Sequence, residues 1–151
     1  MGCLAITQAA GIIGGSFTAS SVATWYPLLR KPAFTPPSTV FGPVWVALYV
    51  ATGVAAFLVW RRGWTAPGVK GAAAWFTVQL VSNVAWSAAF FGARSPGAGL
   101  VVIGLLLAAI VGSVVAFFRV SRPAGVLMLP YLAWVCFATA LNAGVWWLNR
   151  Q

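Results

Sequence analysis

Three stretches of this sequence place indoles, phenols and carboxamides at helical spacing. Gln79, Asn83, Trp86 and Phe90 fall at i, i+4, i+7 and i+11. Trp45, Tyr49 and Thr52 fall at i, i+4 and i+7. Trp134, Ala138, Leu141, Asn142 and Val145 fall at i, i+4, i+7, i+8 and i+11. Such spacings put each set on one face of a helix. Indole and phenol rings offer flat apolar walls, and carboxamides offer a few hydrogen bonds. The small Ala138 between Trp134 and Asn142 leaves room beside the indole. This is binding chemistry, since aromatic walls with a few polar groups are the usual profile of a small-molecule site.

Acid–base chemistry is excluded more firmly. The chain contains no Asp, Glu or His, so the usual general acids and bases are missing. A Ser or Cys nucleophile would have no conventional partner other than a Lys. Hard metals need oxygen anions, and zinc needs clustered Cys or His. Cys3 and Cys136 have no metal-site spacing and read as small apolar packing residues. A disulfide between them would require them to be neighbours in space. Hydrolase, kinase and metalloenzyme readings fall away, and no cofactor is required.

The elements that carry these faces are membrane spans. Of 151 residues, 62% are hydrophobic and only 6% charged, with a mean hydropathy of +0.94. A soluble domain carries roughly 25% charged residues. A span needs about 20 apolar residues, and five runs qualify: 4–22, 41–60, 69–91, 98–118 and 124–147. Turn residues and positive charges mark their ends, as in Arg61-Arg62-Gly63, Pro67-Gly68 and Arg122-Pro123. The runs do not alternate as barrel strands do. The first run lacks a basic leader and reads as a mature helix, not a signal peptide. The expected fold is all-α: a single integral membrane domain, 1–151, of five transmembrane helices with a Pro-rich loop after the first.

The net charge of +9 would point to nucleic acid in a soluble protein. Here the cations lie singly or in pairs at span ends, so no nucleic-acid partner is expected. The basic loops meet water, lipid phosphates or an anionic ligand. Arg61, Arg62, Lys70, Arg119 and Arg122 fall on the N-terminal side and Arg30, Lys31, Arg94 and Arg150 opposite. That division is too even to set an orientation.

The connection 23–40 holds Pro27, Pro32, Pro36 and Pro37. Proline fixes φ and removes donors, so the segment cannot be helical throughout. With Trp25, Tyr26 and Phe34 it reads as a structured lid. In an antiparallel bundle the three polar-aromatic faces all climb toward the side that this lid covers. Buried polar groups in hydrocarbon should face the interior. Gln79, Asn83 and Asn142 either line a cavity there or tie helices together. Trp25, Trp60, Trp64, Trp75, Trp146 and Trp147 lie near span ends and read as interface anchors. Tyr131, after Pro130, reads as structural. Small-residue pairs and stripes (Gly11 with Gly15; Gly104, Ala108, Gly112 and Ala116) mark close helix contacts, within the bundle or between protomers.

Four ordered motifs resemble the TspO/translocator protein family, the tryptophan-rich sensory proteins and peripheral-type benzodiazepine receptors. Trp25-Tyr26-x-x-Leu29-x-Lys31-Pro32-x-Phe34-x-Pro36-Pro37 is similar to the family's first loop. Phe41-x-Pro43-Val44-Trp45-x-x-Leu48-Tyr49 is similar to its second helix. Gln79-Leu80-x-x-Asn83-x-x-Trp86-Ser87-x-x-Phe90-Phe91-Gly92 is similar to its third. Pro130-Tyr131-Leu132-Ala133-Trp134-x-x-Phe137-Ala138-Thr139-x-Leu141-Asn142 is similar to its fifth. The resemblance implies a five-helix bundle, often a homodimer, that binds porphyrins such as protoporphyrin IX and benzodiazepine- or isoquinoline-type drugs. It implies pocket roles for Tyr26, Trp45, Asn83, Trp134 and Ala138. In some bacterial members the two tryptophans are associated with light-dependent porphyrin breakdown. The sterol motif of animal members is not matched at 141–147, where Tyr and a nearby Arg are missing.

Taken with the faces above, the expected protein is a multi-pass receptor or carrier for a porphyrin or a similar flat apolar ligand, in contact with membrane lipid, homodimeric, in a bacterial membrane. The expected ligand-binding set is Tyr26, Trp45, Tyr49, Asn83, Trp86, Trp134, Ala138, Leu141 and Asn142, with Arg30 and Lys31 pairing propionates. The alternatives are a porphyrin-degrading photo-enzyme acting through Trp45 and Trp134, and a structural partner of another membrane protein.

Overall fold

A computed structural model describes residues 2–150. The described residues form helices α1 (Gly2–Thr24), α2 (Ser38–Trp60), α3 (Val69–Ser87), α4 (Pro96–Val120) and α5 (Arg122–Asn149). A short 3-10 turn, Tyr26–Leu28, lies in the loop after α1, and a π-helical turn, Ala88–Gly92, continues α3. No strand occurs among these residues. In lipid every backbone group must be satisfied within the segment, and helices are how an apolar chain achieves that. Helices α1, α2, α4 and α5 are long and apolar enough to cross a membrane. The α3 sequence is less apolar because it buries Gln79, Asn83 and Ser87 among its partners.

Local chemistry sets the helix ends. Gly68 precedes α3 at φ +83, a left-handed backbone that glycine adopts without a Cβ penalty. Ser95 starts α4 by accepting the Ala98 N–H on its Oγ at 3.2 Å, with Pro96 at the first position. A single extended residue, Ser121, separates α4 from α5.

Around the bundle the helices run α1, α2, α5, α4, α3, with α3 closing back onto α1. The dense half lies where α3, α4 and α5 meet. Ile103, Leu106, Ile110, Phe117, Met128 and Val135 are almost fully buried there. Phe76 stacks on Phe117 at 5.7 Å, and Trp75 lies against Gly112 of α4. The other half is looser. Only 17% of the α1 span is buried, against 39% for α2, α4 and α5.

Three sequence expectations change. The third run is not one regular helix to 91, because the Ala93 N–H bonds the Ala88 carbonyl at 2.7 Å, an i to i+5 pairing. The inserted residue turns Phe91, as well as Phe90, toward the bundle interior. The non-helical connection is also shorter than 23–40. Helix α1 runs on to Thr24, and α2 starts at Ser38 directly after Pro36-Pro37, since proline suits a helix start. Finally, Cys136 faces outward and so does not pack in the core, while Cys3 is half-buried; both are free thiols.

Candidate functional site

The loose half of the bundle is hollow. A cavity of about 350 Å³ lies between α1, α2, α3 and α5, beneath the loop. That is near the small end of the usual range for ligand sites, about 300–1,000 Å³. All nine residues expected to bind line this one void: Tyr26, Trp45, Tyr49, Asn83, Trp86, Trp134, Ala138, Leu141 and Asn142. Thr52 and Gln79 are buried but lie outside it. Arg30 and Lys31 are not on the wall; they stand in the loop above it.

One wall is a run of tilted rings. Trp45 lies 5.7 Å from Tyr49 and 6.3 Å from Trp86, with interplanar angles of 31° and 32°. Trp86 lies 5.8 Å from Phe90 at 32°. On α5, Trp134 meets Phe41 edge-on at 5.8 Å and Phe137 at 5.5 Å. Aromatic pairs at these separations contribute about 0.5–1.5 kcal/mol each beyond burial.

The amides do both jobs that the sequence left open. Tyr49 Oη donates to Asn83 Oδ1 at 2.7 Å, and Asn83 Nδ2 donates to Tyr131 Oη at 2.8 Å. Tyr131 Oη donates in turn to Gln79 Oε1 at 3.0 Å. Trp86 Nε1 donates to Asn142 Oδ1 at 3.1 Å, and Asn142 Nδ2 donates to the Pro96 carbonyl at 2.8 Å. These bonds tie α2 to α3, α3 to α5 and α5 to the start of α4. Asn83 and Asn142 also face the void, each with hydrogen-bonding capacity left over. Trp134 Nε1 has no partner at all. It is the one such buried side-chain polar atom among the described residues, and an unpaired buried donor costs free energy until something accepts from it.

The loop is held down as a roof. Asn149 on α5 accepts the Arg30 N–H at 3.0 Å and donates to the Arg30 carbonyl at 2.8 Å. Phe34 packs edge-on against Phe137 at 6.1 Å. Lys31 Nζ donates to the carbonyls of Leu29 and Pro27 at 3.1 and 3.3 Å and sits 4.9 Å above the Tyr26 ring. Its ammonium thus has one of three donors to spare. Burial beneath this roof raises the Tyr26 hydroxyl above the ordinary phenol range.

Sequence reasoning missed two contributions. Tyr131, which the sequence marked only as structural, is the junction that joins Asn83 to Gln79; Gln79 and Asn83, four apart, signalled that a partner between them was needed. The other omission is α1. The pair Gly11 and Gly15 was expected to mark a helix contact. Gly11 does so, against the Tyr49 ring, whereas Gly15 faces open space on the cavity wall.

Taken together, the spans and their hollow, uncharged, ring-walled interior define a polytopic helical membrane protein with an internal cavity. The TspO/MBR family model matches residues 3–148, and the chain belongs to that family. It is 43% identical to the tryptophan-rich protein TspO of Chlorobaculum tepidum, over 97% of this chain and 93% of that one. It is 44% identical to the TspO of Archaeoglobus fulgidus, over 93% of this chain and 90% of that one. The human translocator protein is 42% identical, over 89% of this chain and 80% of its own length.

Proposed function

We propose that this chain is a membrane receptor or carrier that takes a flat apolar ligand, a tetrapyrrole such as protoporphyrin IX or a drug of the benzodiazepine or isoquinoline type, into the cavity under the loop. The observation that carries this reading is Trp134. Its ring lines an apolar void, and its Nε1–H is buried without an acceptor. Once the indole turns this donor toward the void, a ligand carbonyl or ring heteroatom supplies that acceptor while its flat body lies against Trp45 and Trp134. The free capacity of Asn83 and Asn142 sets its rotation. A propionate reaches the rim, where Arg30 is exposed and Lys31 retains one donor. The reading places the protein in a bacterial membrane, in keeping with its Chlorobaculum relative. It also takes the working form to be a homodimer, for which outward-facing Gly104 and Ala108 offer a close-packing surface.

The test is a titration of protoporphyrin IX into the purified chain, following the porphyrin's own absorbance. A saturable spectral shift is expected, and it should be weakened strongly in the Trp45→Phe, Trp134→Phe double variant. No shift up to micromolar porphyrin, with the protein folded, refutes the assignment. Light exposure of the complex separates binding from breakdown, since only breakdown consumes the porphyrin at a rate that depends on both tryptophans.

A further inference from the structure

Helix α1 changes partner halfway along. In its first half it packs tightly on α2. A Cβ on Gly53 of α2 would lie 2.8 Å from Thr7 Oγ1 and 2.9 Å from Leu4 Cδ2, and one on Gly11 would lie 2.9 Å from the Tyr49 ring. In its second half α1 turns to α3. A Cβ on Gly14 would lie 3.2 Å from Ser87 Oγ, and Ser21 Oγ donates to the Phe91 carbonyl at 2.6 Å, within the π-helical turn. The two contacts pull α1 in different directions, so α1 and α2 part toward the loop. One turn beyond Gly11 the closeness is gone. A Cβ on Gly15 of α1, or on Gly42 of α2, would meet nothing within 4 Å.

The gap between them opens into the cavity. Ile12, Gly15, Gly42 and Val46 all line the void, yet all are exposed on the outer face, Ile12 at 73% and Val46 at 57%. In a bilayer that outer face meets acyl chains. The roof, by contrast, is clamped to α5 through Asn149 and Arg30. Pro32 also presses on Gly144 so closely that no side chain fits between them.

We infer that the slot between α1 and α2, framed by Ile12, Gly15, Gly42 and Val46, is a side entrance through which a bilayer-dissolved apolar ligand reaches the cavity without lifting the loop. The inference rests on the binding function proposed above. An apolar ligand partitions into hydrocarbon before it meets the protein. A lateral opening framed by these glycine and aliphatic groups lets it pass without crossing the charged loop. The two glycines set the width of that opening.

The test uses the full chain in phosphatidylcholine vesicles with protoporphyrin IX as probe, following its absorbance in stopped flow. Gly15→Leu with Gly42→Leu fills the slot from both sides; neither added Cβ meets a neighbour. A door alters the barrier more than the bound state, so association and dissociation should both slow, by about ten-fold or more, and by a larger factor than any accompanying change in Kd. Val46→Trp, on the same lipid-facing rim, should likewise slow both rates. Asn149→Ala, which frees the loop, should leave both rates as they were. Unchanged rates in the leucine and tryptophan variants overturn the side entrance, as does faster entry in Asn149→Ala. Absence of any equilibrium binding by the unmodified chain would instead defeat the underlying function, so the two failures are distinguishable.

Discussion

Tyr49 and Asn83 are joined across α2 and α3 by a 2.7 Å hydrogen bond, and both line the cavity. The bond is therefore at once a strut and part of the wall. Asn83 extends it to Tyr131 on α5, so a single carboxamide holds three helices in register around the void.

Replacing that carboxamide should cost more than removing the Tyr49 hydroxyl. Asn83→Ala strands the Tyr49 hydroxyl without an acceptor and takes a donor from Tyr131. Each buried group so stranded costs about 1–3 kcal/mol, though interhelical hydrogen bonds in membranes often fall toward the lower end, about 0.6–2 kcal/mol. Tyr49→Phe removes only the single bond to Asn83. Thermal unfolding in detergent should rank the melting temperatures as unmodified, then Tyr49→Phe, then Asn83→Ala. The reverse order would mean that Asn83 is not the strut described.

Much of this arrangement was legible in the sequence, and the reason is periodicity. A span in lipid must be helical, so residues at i, i+4 and i+7 can only share a face; Trp45 with Tyr49, and Asn83 with Trp86, needed no further information. Proline gave the loop. What periodicity does not carry is pairing across helices. It could not tell that Tyr131 is the junction for Gln79 and Asn83, because that depends on the rotation of α5 against α3. Nor could it reveal the π-helical turn at Ala88–Gly92, where Phe90 packs on Trp25 and Phe91 on Tyr26. The split allegiance of α1 was equally hidden. Gly11 and Gly15 look alike in sequence, and only the divergence of α1 from α2 makes one a contact and the other an edge of the opening.

The unpartnered indole gives the sharpest separation of stability from binding. Trp134→Phe keeps an aromatic ring against Phe41 and Phe137 and deletes the Nε1–H. Since that donor is unsatisfied in the unliganded protein, the melting temperature should hold or rise slightly. Binding of a ligand that offers a carbonyl should weaken by about 0.5–1.5 kcal/mol, roughly two- to twelve-fold, the net worth of one neutral hydrogen bond. Isothermal titration alongside a melting curve checks both halves. A destabilised but fully competent variant would show that the donor has another role.

Filling the void should have the same sign for stability and a larger effect on binding. Ala138 is buried on the cavity wall between Trp134 and Asn142. In Ala138→Phe the added ring can grow only into the empty space, which restores contacts that the lining atoms lack. Cavity-filling changes commonly add about 0.5–2 kcal/mol of stability. Ligand affinity should fall by more than an order of magnitude, about 1.4 kcal/mol for each factor of ten. An unchanged Kd would place the ligand elsewhere.

The chain's titration behaviour should be unusually flat near neutrality, and the phenol under the roof should depart from it at high pH. With no Asp, Glu or His, no side chain has an ordinary pKa between about 5 and 8. Stability measured across that window should therefore hardly change. Tyr26 departs at high pH, because burial raises its hydroxyl above the ordinary value of roughly 10. A phenol that ionises later in the folded chain than in the unfolded one favours folding below roughly pH 10. That contribution is lost as pH climbs through the raised value, since the unfolded chain sheds its proton first. Tyr26→Phe has no proton to lose at this position, so its melting temperature should decline less steeply above pH 10. The gap between the two proteins should narrow, then reverse or close, as pH rises. Parallel curves from pH 8 to 11 would show that the Tyr26 hydroxyl is not sealed under the loop.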